Sequence, residues 1–127
     1  MATEERRRKK RLALRGFLTC SSQFAFQGKS YNNFDVISLS ASGMFLVQQS
    51  PAPFHVQEGQ KIAQIALSLA PFQEDRFEAK VRRLMVPDSP ENGLCGMGVE
   101  FVNLSEDLSD KLDEFVHIQT QFLELGT

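Results

Sequence analysis

The middle of the chain alternates between apolar and polar side chains with a period of two residues. Segments 65–69 (IALSL), 77–82 (FEAKVR) and 99–101 (VEF) each place an apolar residue at every second position. Successive side chains of a β-strand point to opposite faces of the sheet. The pattern therefore predicts antiparallel strands with one buried face and one face in solvent.

Short segments rich in glycine, proline and polar residues separate these strands. They lie at 27–29, 50–53, 57–60 and 87–93. We predict six strands between and around them. Their approximate ranges are 14–26, 31–39, 43–48, 61–69, 76–86 and 94–102. Many short strands joined by regular turns favour a small barrel or sandwich.

The periodicity changes once, near the C-terminal end. Ser105 is a suitable N-cap, and Glu106 and Asp107 would place negative charge in the first turn of a helix. Residues at spacings of three and four follow, namely Leu108, Leu112, Phe115, Gln119 and Phe122. We predict one amphipathic helix over 105–123. Its apolar side either covers an open part of the barrel or binds a partner.

The composition excludes several classes of protein. The 127 residues suit a single domain, and no apolar run is long enough to cross a membrane. The apolar segment 12–18 is interrupted by Arg15 and Gly16, so we expect no secretory signal. Cys20 and Cys95 are predicted to be reduced, buried thiols. Neither a catalytic triad nor a metal-ligand cluster is indicated, so we expect no enzyme activity and no cofactor.

Positive charge is concentrated at the N-terminal end. Residues 1–11 carry six basic and two acidic side chains, whereas residues 12–127 carry eight basic and fourteen acidic ones. Domains that bind DNA usually spread basic residues over a face of the fold. We therefore interpret residues 1–12 as a flexible basic arm and residues 13–127 as the folded domain. The arm suits a compact anion better than a nucleic acid.

The arginines of this arm have a suggestive spacing. Arg7, Arg11 and Arg15 are four residues apart, and Arg8 lies between the first two. A guanidinium is planar and can grip phosphate oxygens or the O6/N7 edge of guanine with two parallel hydrogen bonds. Two such groups on one arm could hold a nucleotide that carries two phosphates.

Two glycine-containing segments are candidate ligand contacts. In VISLSASGMFL, Ser38 and Ser40 share a strand face by their spacing, and Gly43 permits a tight turn and close approach of a ligand. In GLCGMGVEF, Gly96 and Gly98 lead into a strand rather than a helix, which argues against a dinucleotide-binding glycine turn. They allow close packing or a bend, and are secondary candidates for ligand contact, as is Arg15.

Together these segments resemble the PilZ domain family, bacterial receptors for cyclic di-GMP. The family's RxxxR motif matches RRKKR, from Arg7 to Arg11. Its [D/N]xSxxG motif matches SLSASG at Ser40 and Gly43. The strand ending in KVRRL and the segment GMGVEFVNLSED before the last helix also agree in order and type. The resemblance covers nearly the whole chain.

The resemblance implies an all-β fold, a six-stranded antiparallel β-barrel with a C-terminal α-helix. It implies a bacterial cytoplasmic receptor that binds cyclic di-GMP through Arg7, Arg8, Arg11, Ser38, Ser40 and Gly43. Binding would order the arm and present a new surface to a partner protein that controls motility, biofilm or virulence. It implies no enzyme activity, no other cofactor and no insertion into a membrane.

Position 38 departs from the family pattern, because serine stands where the family has Asp or Asn. A carboxylate can accept both guanine N–H donors at once, whereas a serine hydroxyl cannot. Asp35 is near in sequence, but it lies three residues before Ser38, and an odd spacing predicts that the two side chains point to opposite faces of the strand. We expect weakened binding, or compensation by further arginines such as Arg8 or Arg15. The alternative is an adaptor that acts through protein contacts without a nucleotide.

Overall fold

The computed structural model describes residues 11–14, 19–48, 56–85 and 96–125. These residues form seven strands and one helix. The strands are β1 (Leu12–Ala13), β2 (Ser21–Phe26), β3 (Lys29–Leu39), β4 (Gly43–Gln48), β5 (Lys61–Leu67), β6 (Phe77–Met85) and β7 (Gly96–Val102), and the helix is α1 (Glu106–Leu125).

Six of the strands close into an antiparallel barrel. Their order is β3-β2-β5-β6-β7-β4, and β4 pairs again with β3, so the sheet has no open edge along this ring. The predicted six-stranded barrel with a C-terminal helix is confirmed.

The short strand β1 is an addition to the ring. It pairs with the end of β3 at Leu39 and Ser38, whereas β2 pairs with the earlier part of β3, from Lys29 to Asp35. Both β1 and β2 thus fall within or beside the predicted first strand, 14–26, and residues 15–18 between them lie outside the described residues. Leu12, which we assigned to the arm, is buried in β1.

The core lies inside the barrel and follows the period-two pattern. Every second residue of β2 is buried, and in β6 the buried residues are Phe77, Ala79 and Val81, as the sequence predicts. Aromatic rings fill much of the space. Phe24 stacks on Tyr31 with 5.6 Å between the ring centroids, and the ring centroids of Phe77 and Phe101 are 5.0 Å apart. Aromatic pairs at these distances add stability beyond the area they bury.

Helix α1 begins as the sequence predicts. The Ser105 hydroxyl accepts a hydrogen bond from the Leu108 amide at 3.1 Å, which satisfies one of the free amides of the first turn. Leu112 and Val116 are buried, so the helix covers its own barrel. Phe122 at the far end of the predicted apolar stripe is 64% exposed.

A cluster of rings joins the helix to the barrel. Phe72, in the β5–β6 connection, is fully buried, and its ring meets that of Phe115 edge to face at 5.2 Å. Lys111 lies over the Phe72 ring and also donates a hydrogen bond to the Asp75 carboxylate at 2.7 Å.

Within the described residues, no helix is long and apolar enough to span a membrane.

The ring contact predicts unequal effects for two phenylalanines of one helix. Phe115→Ala should lower the free energy of unfolding by about 2–4 kcal/mol, because it removes packing against Phe72. Phe122→Ala is the matched control and should change it by less than about 0.5 kcal/mol. Urea denaturation followed by circular dichroism measures both values. Equal effects would contradict this account of helix docking.

Candidate ligand-binding site

The turn between β3 and β4 is held together by the hydroxyl of Ser40. This oxygen accepts hydrogen bonds from the amides of Ser42 and Gly43 at 3.2 and 3.1 Å. It lies 3.1 Å from the Ser42 hydroxyl and donates to the Gly43 carbonyl at 3.2 Å. Ser40 is only 3% exposed. The side chain predicted to contact the ligand therefore fixes the shape of the turn, and Ser42 carries the exposed hydroxyl.

Gly43 is required by the close approach of two strands. A Cβ atom at position 43 would lie 2.1 Å from the Val99 carbonyl oxygen on β7. Beside it, the Phe101 amide donates a 2.8 Å hydrogen bond to the Ser42 carbonyl. The turn is thereby held closely against β7.

A bulge in β3 changes which side chains share its outer face. Asp35 pairs with Val47 and Ser38 pairs with Phe45, and the register shifts between residues 36 and 38. Because Val47 and Phe45 are two residues apart on β4, Asp35 and Ser38 lie on the same face. The prediction that Asp35 points to the opposite face from Ser38 is therefore wrong. The extra residue of the bulge reverses the alternation.

A second bulge, in β6, exposes two consecutive arginines. Val81 pairs with Val99 and Arg83 pairs with Gly98, so Arg82 is the extra residue. Both Arg82 and Arg83 are exposed. In a regular strand one of them would point into the core, where an unpaired charge is very costly. The bulge doubles the positive charge on this part of the surface.

The two arginines and the serine turn border one cleft with a volume of about 520 Å³. We call it the arginine cleft. Its lining residues are Arg11, Ser42, Gly43, Phe45, Arg82, Arg83, Gly98, Val99 and Glu100. Three guanidinium groups and one carboxylate thus meet here, in a chain whose net charge is −2. The cleft is suited to an anionic ligand.

The carboxylate in the cleft is paired with one of the arginines. A terminal nitrogen of Arg82 donates to Glu100 Oε1 at 2.7 Å. The Arg82 side chain is 54% exposed and that of Glu100 48%, so the pair contributes little to stability. Both groups are within reach of a ligand.

An aromatic ring lines the cleft together with the arginines. The half-buried Phe45 lies on β4, paired with Gly98 of β7. A Cβ atom at Gly96 would lie 3.1 Å from the Phe45 ring, and one at Gly98 would lie 3.7 Å from it. The two glycines therefore leave room for the ring to lie close against β7. An accessible ring beside arginines is typical of sites where a base stacks.

The structure brings together only some of the predicted site residues. Arg11, Gly43 and Gly98 line the arginine cleft, and Gly96 lies beneath Phe45. Ser38 is half-buried and faces Phe45 across the β3–β4 ladder. The remaining predicted arginines, Arg7, Arg8 and Arg15, lie outside the described residues.

Sequence reasoning missed Ser42, Phe45, Glu100 and the two arginines of β6. One signal was available for the arginines. Strict alternation from Val81 would place Arg83 inside the barrel, and a charge at an inward position indicates a bulge. No comparable signal marks Phe45 or Glu100, because their positions depend on which strands pair across the barrel.

Two features of the described residues concern metal binding and thiol chemistry. No three His, Cys, Asp or Glu side chains among them are grouped so as to hold a metal ion. Burial raises the pKa of the Cys20 thiol above its ordinary value, and hydrogen bonds involving Leu69 and Ser68 offset part of the rise. A thiol with a raised pKa is a poor nucleophile. Cys95 lies outside the described residues.

The geometry agrees with the family that matches this sequence. A PilZ domain profile matches residues 5–117. The chain belongs to the PilZ domain family, as its arginine and serine–glycine motifs predict. No curated protein matches the sequence significantly.

Solved structures with the same fold include proteins from several bacteria. The PilZ domain of YcgR from Escherichia coli, solved with c-di-GMP, has a TM-score of 0.72 and 17% identity, and the match covers 92% of this chain and 93% of that one. The K. pneumonia MrkH–c-di-GMP complex has a TM-score of 0.79 and 16% identity, and the match covers 93% of this chain and 54% of MrkH. The Bacillus subtilis inhibitor of motility MotI/DgrA has a TM-score of 0.63 and 19% identity, and the match covers 90% of this chain and 52% of MotI/DgrA. The chain therefore spans about half the length of the last two.

The contact at Gly43 predicts different tolerance of two glycines. Gly43→Ala should lower the free energy of unfolding by at least about 3 kcal/mol, because the new methyl group would overlap backbone atoms of β7. A Cβ atom at Gly98 would lie at ordinary contact distances, 3.6 Å from Arg83 Cβ and 3.7 Å from the Phe45 ring. Gly98→Ala should therefore stay within about 1 kcal/mol of the parent protein. Urea denaturation tests both, and a Gly43→Ala protein of parental stability would refute the close approach.

Proposed function

We propose that this chain is a receptor for cyclic di-GMP, a binding module rather than an enzyme, and that the nucleotide binds in the arginine cleft. The observation that carries the proposal is the convergence of Arg11, Arg82 and Arg83 beside Phe45 and the serine turn. The YcgR and MrkH structures with this fold were solved with c-di-GMP, which supports the same ligand class here.

The cleft supplies a partner for each part of such a ligand. The arginines are assigned to the two phosphates and to the O6/N7 edge of guanine. The Phe45 ring offers a stacking surface, and Gly98 allows the ligand to approach the backbone of β7. Gly43 holds the turn against β7 and does not itself leave room for the ligand. Ser38 is assigned to the edge of a base. A base contact from Ser40, also proposed, requires its hydroxyl to exchange the bond to Ser42 for one to the ligand.

The proposed mechanism couples binding to ordering of the basic arm. Arg7 and Arg11 would close on the phosphates, with Arg8 and Arg15 as additional contacts. Fixing the backbone costs about 1–2 kcal/mol per residue. Each charge-assisted hydrogen bond returns roughly 1.5–3 kcal/mol, so several of them offset the cost for a short segment. The ordered arm would then present a surface to a partner protein in the bacterial cytoplasm.

The output of the receptor is proposed to be control of motility, biofilm or virulence. One structural neighbour is named as an inhibitor of motility, which supports the first of these. A second candidate function is a ligand-independent adaptor. It is favoured by serine at position 38 and by exposed apolar residues near the end of α1, Phe122 and Leu123.

Isothermal titration calorimetry with cyclic di-GMP separates these functions. The parent protein should bind, and the double substitutions Arg7→Ala/Arg11→Ala and Arg82→Ala/Arg83→Ala should each weaken binding by tenfold or more, about 1.4 kcal/mol. A matched control, Lys61→Ala/Arg76→Ala, removes two positive charges outside the cleft and should bind as the parent does. No heat at high protein concentration would reject the receptor and favour the adaptor.

A second test concerns position 38. Ser38→Asp should tighten binding of cyclic di-GMP about tenfold, because a carboxylate accepts two guanine donors where the hydroxyl cannot. Ser30→Asp is the matched control, since Ser30 is exposed at the other end of β3. Unchanged or weaker binding by Ser38→Asp would contradict the proposed contact of position 38 with the guanine edge.

A further inference from the structure

The arginine cleft contains a feature that binding of phosphate does not explain. Glu100 is the only carboxylate among its described lining residues, and it stands beside three arginines. A negative charge in an anion site opposes the approach of a dianion and neutralises part of the attraction of Arg82. A carboxylate in this position is useful when the ligand also presents hydrogen-bond donors.

Guanine presents such donors, because its N1–H and its exocyclic N2 amino group lie side by side on one edge. A carboxylate carries about four acceptor positions on two oxygens and no donor. It can therefore accept both guanine hydrogens at once. Hypoxanthine lacks the N2 amino group and offers only one of these donors.

The position of Glu100 fits this role. Its backbone is paired with Gly43 in the β4–β7 ladder, next to the turn that borders the cleft, and its carboxylate reaches Arg82 on β6. Its side chain is half-exposed, and Arg82 bonds only one of its oxygens within the described part of the chain. Arg82 thus orients the carboxylate and leaves acceptor positions for a ligand.

We infer that Glu100 reads the N1–H and N2 amino group of a guanine bound in the arginine cleft. It thereby supplies from β7 a carboxylate for one of the two guanines of cyclic di-GMP, and the base contact proposed for position 38 concerns the other guanine. This inference rests on the proposed binding of cyclic di-GMP and adds the residue that makes the site selective for guanine. Arg82, in addition to the ligand contact proposed above, orients the Glu100 carboxylate.

The test compares cyclic di-GMP with cyclic di-IMP, which differs only by the absence of both N2 amino groups. The parent protein should bind cyclic di-GMP about tenfold or more tightly than cyclic di-IMP. Glu100→Gln replaces one acceptor oxygen by a donor and should reduce this ratio to about threefold or less. The substitution lies at an exposed position, and circular dichroism checks that the variant folds.

The ratio of the two affinities isolates base recognition from charge. Glu100→Gln also removes repulsion of the phosphates and frees Arg82, but these effects change the binding of both ligands equally. Glu78→Gln on β6 makes the same change outside the arginine cleft and should keep the parental ratio. A parental ratio near one, or an unchanged ratio in Glu100→Gln, would overturn the inference while leaving the receptor intact. Failure of the parent protein to bind either ligand would reject the receptor and the inference together.

Discussion

The β4–β7 ladder is one of the six pairings that make up the barrel, and its contact at the start of β4 depends on the absence of a side chain at position 43. Nothing larger than hydrogen fits there, because a Cβ atom would lie only 2.1 Å from the Val99 carbonyl oxygen. The Ser42 carbonyl accepts the Phe101 amide on one side of the contact, and the Ser40 hydroxyl holds the turn on the other. The same contact brings the turn beside the arginine cleft. The pairing of β4 with β7 and the position of the candidate site therefore both depend on glycine at position 43.

The chemistry of the outer surface follows from two irregularities in an otherwise regular ladder. The bulge in β6 directs both Arg82 and Arg83 outward, and the bulge in β3 places Asp35 and Ser38 on one face. Bulges are common beside functional sites because they redirect side chains without disturbing the core. The bulge in β3 widens the spacing between the core residues Val36 and Leu39 to three, and both side chains stay buried. The core thus depends on the buried side chains of these strands, whereas the candidate site depends on the outward side chains at the bulges.

The sequence predicts the core and the helix well, because both depend on local periodicity. Phe77, Ala79 and Val81 are buried as predicted, and Ser105 caps the helix. The cleft is predicted only in part. Arg11 and Gly43 were found through motifs, whereas Phe45 and Glu100 come to the site through pairing of β4 with β7, which lie about fifty residues apart in sequence. Side-chain periodicity carries no information about which distant strands pair.

The distribution of charge around the cleft favours a compact ligand over an extended polyanion. At physiological ionic strength, charges more than about 8 Å apart are largely screened, so a bound ligand responds to the cleft and not to the net charge of the chain. On the other side of Ser42 lies a smaller hollow lined by Asp110 and Asp113 of α1. A nucleic acid strand that continued past the turn would meet these carboxylates at short range. A cyclic dinucleotide has no continuing strand, so it can occupy the arginine cleft without approaching them.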